Sequence, residues 1–316
     1  MYIDTALTPQ EVADILKISK STVYELIKRK EINSYRVGKK VRVDLKDVEA
    51  YKNKTKNTVT DAAVPEPVSY NTEPRNKVPF EKYSFVICGQ DPILDILCRY
   101  LSCYKDGIRV LRSYEGSYNG IYALYCDKVQ VATAHMWDER TGEYNVPYIE
   151  KMLPGTPAIV IRLAARMEGF YVATGNPKNI KDWEDLKRSD ITLVNREKGS
   201  GTRILLDEHL RSMGIDGSKI EGYYRECVSH LAVASVVARG GADFGIGNEK
   251  ACSQVKGIEF IPIQEEKYDM IVKKRDLNKP SIKAIMNILE SEQFQMEIMG
   301  IGGYDISEMG KIIAET

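Results

Sequence analysis

The residues with the clearest chemical purpose are Asn195-Arg196-Glu197-Lys198-Gly199-Ser200-Gly201-Thr202-Arg203, which follow the apolar run Ile191-Thr192-Leu193-Val194. They precede the helix-like stretch Ile204 to Leu210. A strand that ends in a glycine-rich turn and restarts as a helix aims successive backbone N–H groups at one point. Ser200 and Thr202 add hydroxyls at the positive end of that helix, which is the chemistry of an anion site. The same spacing also serves a plain helix-capping turn. It is not a nucleotide-binding Walker loop, because the G-x-x-x-x-G-K-[S/T] spacing is missing. Arg203 reads as a brace for the loop or the partner of an acidic residue rather than as a ligand contact. His135 and His230 have no partner nucleophile at a recognisable spacing and read as structural hydrogen-bonding residues. Trp137, Trp183 and the scattered tyrosines read mostly as packing.

The elements that position this loop repeat a strand, polar loop, helix unit. Ser84 to Cys88 runs into Gly89-Gln90-Asp91-Pro92 and then the amphipathic Ile93 to Leu97. Ile108 to Leu111 runs toward Glu115-Gly116-Ser117 and then Gly120 to Leu124. The alternation predicts an α/β domain with mainly parallel sheets, whose ligands bind at the carboxyl ends of the strands.

A different organisation opens the chain. Thr8-Pro9-Gln10-Glu11 is a capping box with proline at the first helical position, and Val12, Ala13, Ile15 and Leu16 form an apolar face. Ser19 caps a second helix to about Arg29, with Val23, Leu26 and Ile27 turned inward. Ser34 to Val37 and Lys40 to Val43 flank a turn at Gly38-Lys39 and read as a basic hairpin. Asp44 then caps a last helix from Leu45 to about Lys52, with Val48 and Tyr51 closing the core. Two helices with a tight turn make a helix-turn-helix, and the hairpin is a wing. The net charge of zero hides an asymmetry: residues 1–57 carry 13 Lys+Arg against 8 Asp+Glu, or +5, which leaves 32 against 37, or −5. Only the N-terminal piece suits a polyanion.

Residues 6–52 resemble the excisionase-like and MerR-like winged helix-turn-helix family. The resemblance implies that Lys20, Ser21, Thr22, Tyr24 and Lys28 of the second helix face the major groove, while Arg36, Lys39, Lys40 and Arg42 of the wing approach phosphates of double-stranded DNA. Further along, a series of motifs resembles, in its order, the type II periplasmic-binding-protein fold, in the form fused to regulators and molybdopterin-biosynthesis enzymes. These are Gly116-Ser117 with Gly120, His135 to Asp138, Thr141 to Asn145, Gly175 to Ile180 with Asp185-Leu186, Gly199 to Arg203, Ala242 to Gly247, and Tyr268-Asp269. This implies a winged helix-turn-helix at 1–52, a linker at 53–82 and a two-lobed α/β sensor at 83–316. Lobe I is 83–168 with 268–316 and lobe II is 169–267, with crossings near Gly169 to Ala173 and Glu266 to Met270.

Molybdate- and tungstate-related members of that family hold a tetrahedral oxyanion with neutral donors rather than buried cations. By position, the resemblance gives Gly89, Gln90 and Ser117 from lobe I, and Ser200, Gly201, Thr202, Ser229 and Asn248 from lobe II. Asp91 departs from the pattern, since a carboxylate repels an anion unless it points away as a helix cap. The expectation is a ligand-responsive DNA-binding regulator, a homodimer because one short recognition helix reads few base pairs. Molybdate or tungstate leads as ligand. The Gln90-Asp91 departure leaves open a small organic anion or a molybdenum-cofactor precursor, and the excisionase resemblance alone leaves open a ligand-independent DNA-architectural protein. No nucleophile and base pair, metal set or cofactor fingerprint suggests an enzyme.

The opening Met1 to Leu7 lacks a basic and apolar leader pattern and no apolar run reaches membrane-spanning length, so a cytoplasmic protein is expected. The six cysteines, Cys88, Cys98, Cys103, Cys126, Cys227 and Cys252, include no C-x-x-C pair and read as reduced, mostly buried thiols.

Overall fold

A computed structural model describes residues 6–29, 31–38, 40–56, 85–104 and 108–316. The chain divides into two compact units, within 1–76 and 77–316.

In the first unit, strand β1 (Ala6–Leu7) leads to α1 (Pro9–Leu16) and α2 (Lys20–Lys28), then β2 (Tyr35–Val37), β3 (Lys40–Asp44) and α3 (Leu45–Lys56). The capping box forms as the residue types require: Glu11 N donates to Thr8 Oγ1 at 3.3 Å and Thr8 N to Glu11 Oε2 at 2.6 Å. Ser19 Oγ accepts from Thr22 N at 3.1 Å and starts α2. Val12, Ala13, Val23, Leu26, Ile32, Val43 and Val48 form the core, joined at its edge by Leu16, Ile27 and Tyr51. Ile15 departs from the expected apolar face, being 37% exposed. The last helix runs past Lys52 to Lys56, into the stretch expected to be linker.

The second unit holds a mixed sheet. In chain order it comprises β4 (Phe85–Cys88), α4 (Pro92–Cys103), β5 (Val110–Ser113), α5 (Ser117–Tyr125), β6 (Val131–Ala134), β7 (Trp137–Asp138), β8 (Glu143–Tyr144) and α6 (Val146–Met152). There follow β9 (Ala158–Ala173), β10 (Leu193–Arg196), α7 (Gly201–Ser212), β11 (Glu226–Cys227), α8 (His230–Ala238), β12 (Phe244–Asn248), α9 (Glu249–Cys252), β13 (Ile258–Lys273), α10 (Pro280–Leu289), α11 (Glu292–Ile301) and β14 (Ile312–Glu315). The sheet order is β11-β10-β12-β9-β13-β6-β4-β5, with β14 also on β9.

The expected parallel pairs exist at β4 with β5 and β6, and at β10 with β11 and β12. The middle of the sheet differs: β9 and β13 are long antiparallel partners along nearly their whole length. Asp269 to Val272 pair with β6, whereas Glu168 to Val172 pair with β12. The chain thus passes between the two halves of the sheet around Ala165 to Glu168 and Gln264 to Tyr268. Gly169 to Ala173, expected at a crossing, lies just beyond it.

Alternation sets the layers. Phe85 and Ile87 face α4, α10 and α11 through Leu94, Leu97, Ile285, Leu289 and Phe294, while Val86 and Cys88 face α5 and α6 through Ile121, Leu124 and Ile149. In the other half, Phe170, Leu193 and Phe244 pack on Leu206 and Leu210 of α7, and Tyr171 and Val194 pack on Val233 and Val237 of α8. Each such buried aliphatic or aromatic side chain stabilises the unit by about 1.5–3 kcal/mol, which fixes the strand ends and the loops they carry. Among the described residues no helix is long and apolar enough to cross a membrane. The expectation of mostly buried thiols fails, since only Cys88 and Cys252 are buried and Cys103 and Cys126 are exposed.

Candidate functional site

In the first unit, α2 presents Lys20, Ser21, Thr22, Tyr24 and Lys28 to solvent, and the hairpin presents Arg36 and Lys40. The Ser21 and Thr22 hydroxyls lie 2.7 and 2.8 Å from Ser19 Oγ, so both are oriented by the helix cap. Arg42 is half-buried and donates to its neighbour's carbonyl, Val41 O, at 3.0 Å. Lys39 lies outside the described residues. One helix face and one hairpin therefore expose five cationic or hydroxyl side chains and two further cations, with no apolar patch needed to hold them.

In the second unit, the loops at the carboxyl ends of the strands enclose a cavity of about 30 Å³. On the same measure a water needs roughly 10–15 Å³, so the space suits about two waters or one compact polyatomic ion. Gly89, Gln90 and Ser117 reach it from one half of the sheet, and Ser200, Gly201 and Asn248 from the other. Ser200 and Asn248 are N-caps: Ser200 Oγ accepts from Arg203 N at 3.2 Å and Asn248 Oδ1 from Ala251 N at 2.9 Å. A serine that accepts from its own helix keeps its hydroxyl proton to donate to a guest. Ser117 is the first residue of α5, and its Oγ accepts from His135 N at 3.3 Å. The starts of α5 and α7 thus bring positive dipole ends to one point.

Two expected residues lie elsewhere. The Thr202 hydroxyl turns away from the cavity to donate to Glu168 Oε1. Ser229 caps α8 and lines an outer groove of about 440 Å³ that shares Gln90, Glu115, Gly116, His230 and Asn248 with the inner cavity. Arg203 braces the loop as read: it pairs with Asp207 at 3.1 Å and Glu226 at 3.2 Å, and its guanidinium lies 4.1 Å from the Tyr223 ring centroid.

The expectation of neutral donors without buried cations does not hold, because Arg166 and Arg196 line the cavity. Arg166 bonds Asp91 with Nη1 and Glu266 with Nε, and its guanidinium lies 4.5 Å from the Tyr268 ring centroid. Asp91 is a helix cap, accepting from Ile93 N at 2.8 Å and from Tyr304 Oη at 2.9 Å, so its repulsion toward an anion is largely spent on Arg166. Glu266 also meets His135 Nδ1 at 2.6 Å; burial opposes its charge, yet Arg166 and His135 hold its carboxyl down to about 2. Arg196 Nη2 donates to Gln90 Oε1 at 2.8 Å and to Glu197 Oε1 at 2.8 Å, tying the two halves together. Leaving the histidines aside, the lining carries Arg166 and Arg196 against Asp91 and Glu115, formally +2 − 2 = 0. Net attraction for an anion must then come from oriented N–H and O–H dipoles and from unused guanidinium protons.

Both histidines line the cavity; His135 makes a hydrogen bond to Glu266, as read, whereas His230 Nδ1 is buried with no partner. The signal that sequence reading missed is charge inside apolar strands. Arg162, Arg166 and Glu168 interrupt the run Ala158–Ala173, and Glu266 and Asp269 do the same in the strand that pairs with it. A charge in a doubly covered strand needs a partner, and the antiparallel register supplies it.

The halves already touch. Tyr118 N donates to Gly199 O at 2.9 Å, and a Cβ on Gly116 would lie 2.7 Å from that same carbonyl oxygen, so only glycine permits this approach.

Both units resemble known proteins. A model described as the PBP superfamily domain matches residues 99–290, and a helix-turn-helix domain model matches 6–56. The uncharacterized protein YvgK of Bacillus subtilis (strain 168) is 39% identical over 317 residues, covering 99% of each chain. The structure of a phosphate ABC transporter substrate-binding protein with bound phosphate from Clostridium perfringens aligns with TM-score 0.53 at 16% identity, over 70% of this chain and 98% of that one. The sulfate-binding protein SubI from Mycobacterium tuberculosis H37Rv aligns with TM-score 0.52 at 16% identity, over 70% and 86%. The chain therefore belongs to the PBP superfamily and carries a helix-turn-helix domain at its N-terminal end, the composition of a ligand-binding, DNA-binding regulator.

Proposed function

We propose that this chain is a cytoplasmic, homodimeric transcription regulator that binds double-stranded DNA and is switched by a small oxyanion, with molybdate or tungstate first among the candidates. The observation that carries the reading is the cavity of about 30 Å³ on which Gln90, Ser117, Ser200, Asn248, Arg166 and Arg196 converge from both halves of the sheet. A guest touching both halves favours the closed arrangement by as much as its affinity for the two arrangements differs. In a dimer, that change of shape repositions two winged helices over half-sites about 34 Å apart. Relatives named for phosphate and sulfate place those anions in the same test.

The test is a thermal-shift series on the full chain with molybdate, tungstate, phosphate and sulfate. A specific anion at about 100 times its Kd adds about 2.7 kcal/mol to the stability of the sensor unit and raises its Tm. If all four leave the Tm unchanged, the oxyanion reading is wrong.

The outer groove of about 440 Å³, walled by Pro92, Tyr114, Val228, Leu231 and Ala251, favours a second reading, in which the inner cavity holds the acidic head of a small organic anion such as a molybdenum-cofactor precursor. Native mass spectrometry of the purified chain separates the two: an organic mass retained after buffer exchange supports the second, and a bare oxyanion supports the first.

A further inference from the structure

We infer that His230 is a ligand contact that takes up a proton when an anion fills the inner cavity, so that the site binds an anion and a proton together. The inference rests on the oxyanion reading above and adds to it a residue and a proton.

His230 opens α8 and forms part of the wall common to the inner cavity and the outer groove. Its Nδ1 is sealed from solvent and has no hydrogen-bond partner. The groups around it are mostly cationic. Arg196 of β10 and Arg166 of β9 act on it directly, as does His135, whose ring centroid lies 6.5 Å away. Lys250 stands in the outer groove. The acidic groups are Asp91 and Glu115 on the cavity wall and Glu197 in the groove, of which Asp91 is bonded to Arg166 and Glu197 to Arg196. The hydroxyls of Tyr171 and Tyr268 complete the surroundings. Burial first, then Arg196, Arg166 and His135, hold the ring well below the ordinary histidine range, which favours its neutral form.

An oxyanion opposes that field, since it brings negative charge to a wall where the two guanidiniums and His135 act on the ring. The floor behind the ring is built to leave Nδ1 room. Position 247 is glycine, and a Cβ there would press on Tyr171 Oη and lie 2.6 Å from His230 Nδ1. Tyr171 gives its own proton to Asn248 O and so keeps lone pairs beside the ring. His135 differs, because its Nδ1 is already engaged by Glu266. The proton comes from solvent, and no bond is made or broken in the anion.

Titration calorimetry of the full chain with molybdate, tungstate and sulfate, which keep their charge between about pH 6 and pH 8, tests this in buffers of different ionisation heat. The expected result is uptake of up to one proton per bound anion and an affinity that falls by up to about tenfold for each pH unit. His230→Gln, and His230→Asn as a second variant, should bind more weakly, with heats independent of buffer and an affinity that no longer depends on pH. Because the chain has three histidines, ring NMR signals supply a variant-free readout, with one signal silent in the free protein and titrating in the complex. Anion binding without proton uptake, or uptake that persists in both His230 variants, overturns the inference and leaves the oxyanion reading standing. Failure of every anion to bind overturns both.

Discussion

Glu168 lies where β9 passes between the halves of the sheet, in register with Asn248 and Gln264, and its carboxyl is wholly buried. Thr202 donates to one oxygen and the other has no partner. Burial, reinforced by the charge of Glu266, pushes its pKa well above the usual carboxylate range. In the unfolded chain it ionises near about 4.3, so the stability it contributes is complete below that pH and is lost as pH rises toward the folded value. Glu168→Gln should flatten the decline in stability above about pH 4.5 and melt at least as high as wild type at neutral pH. Urea melts across that range check it, and a variant whose stability falls in parallel with wild type would show that Glu168 is ionised. Glu266 behaves oppositely: held at about 2, its contribution is present in the neutral range and is lost only in strong acid.

Among the elements, β7 and α7 meet through an aromatic stack that belongs to both halves of the sheet. His209 of α7 lies between Trp137 of β7 and Trp183, with ring centroids 4.5 and 3.9 Å away and planes within 17° and 19° of parallel. Its Nε2 sits 3.1 Å from Gln264 Oε1, which fixes the ring against β13. These are the two tryptophans of the whole sequence, so tryptophan-selective emission reports on this stack. A cleft that opens parts Trp137 from His209 while leaving Trp183 stacked. Adding the bound anion should therefore change tryptophan emission, and Trp137→Phe should abolish the change without altering Trp183. An unaltered emission at saturating anion would mean that the halves do not move.

For the whole molecule, the charge asymmetry assigns polyanion binding to the first unit, at +5 over residues 1–57. If Lys20 and Lys28 of the proposed DNA face meet phosphates, each Lys→Ala change lowers the slope of log affinity against log salt by about 0.9, with a uniform loss across operator sequences. Fluorescence anisotropy over a salt series measures both. Lysines that are only solvated would leave the slope unchanged. The anion, acting through the second unit, should change operator affinity while leaving the salt slope near its ligand-free value, because it repositions contacts without removing them.

What was legible in the sequence was local. The Thr8 and Ser19 caps, the basic hairpin and the Gly199-Ser200-Gly201 helix start each depend on residues within a few positions, so their types state their geometry. The polar interior of the cleft was not legible. Arg166 finds Asp91 75 positions before it and Glu266 100 positions after it, and His230 meets its neighbours only where β9, β10 and the loop after β6 converge. Such pairings cost desolvation that only a partner can offset, and which partner stands opposite is set by the antiparallel register of two strands nearly 100 residues apart. The sequence by itself therefore determined that a glycine-rich, serine-capped helix start and a helix-turn-helix exist. Only the tertiary structure decided which charges stand around the cavity and which nitrogen is left without a partner, because long-range packing chooses the neighbours of a buried charge.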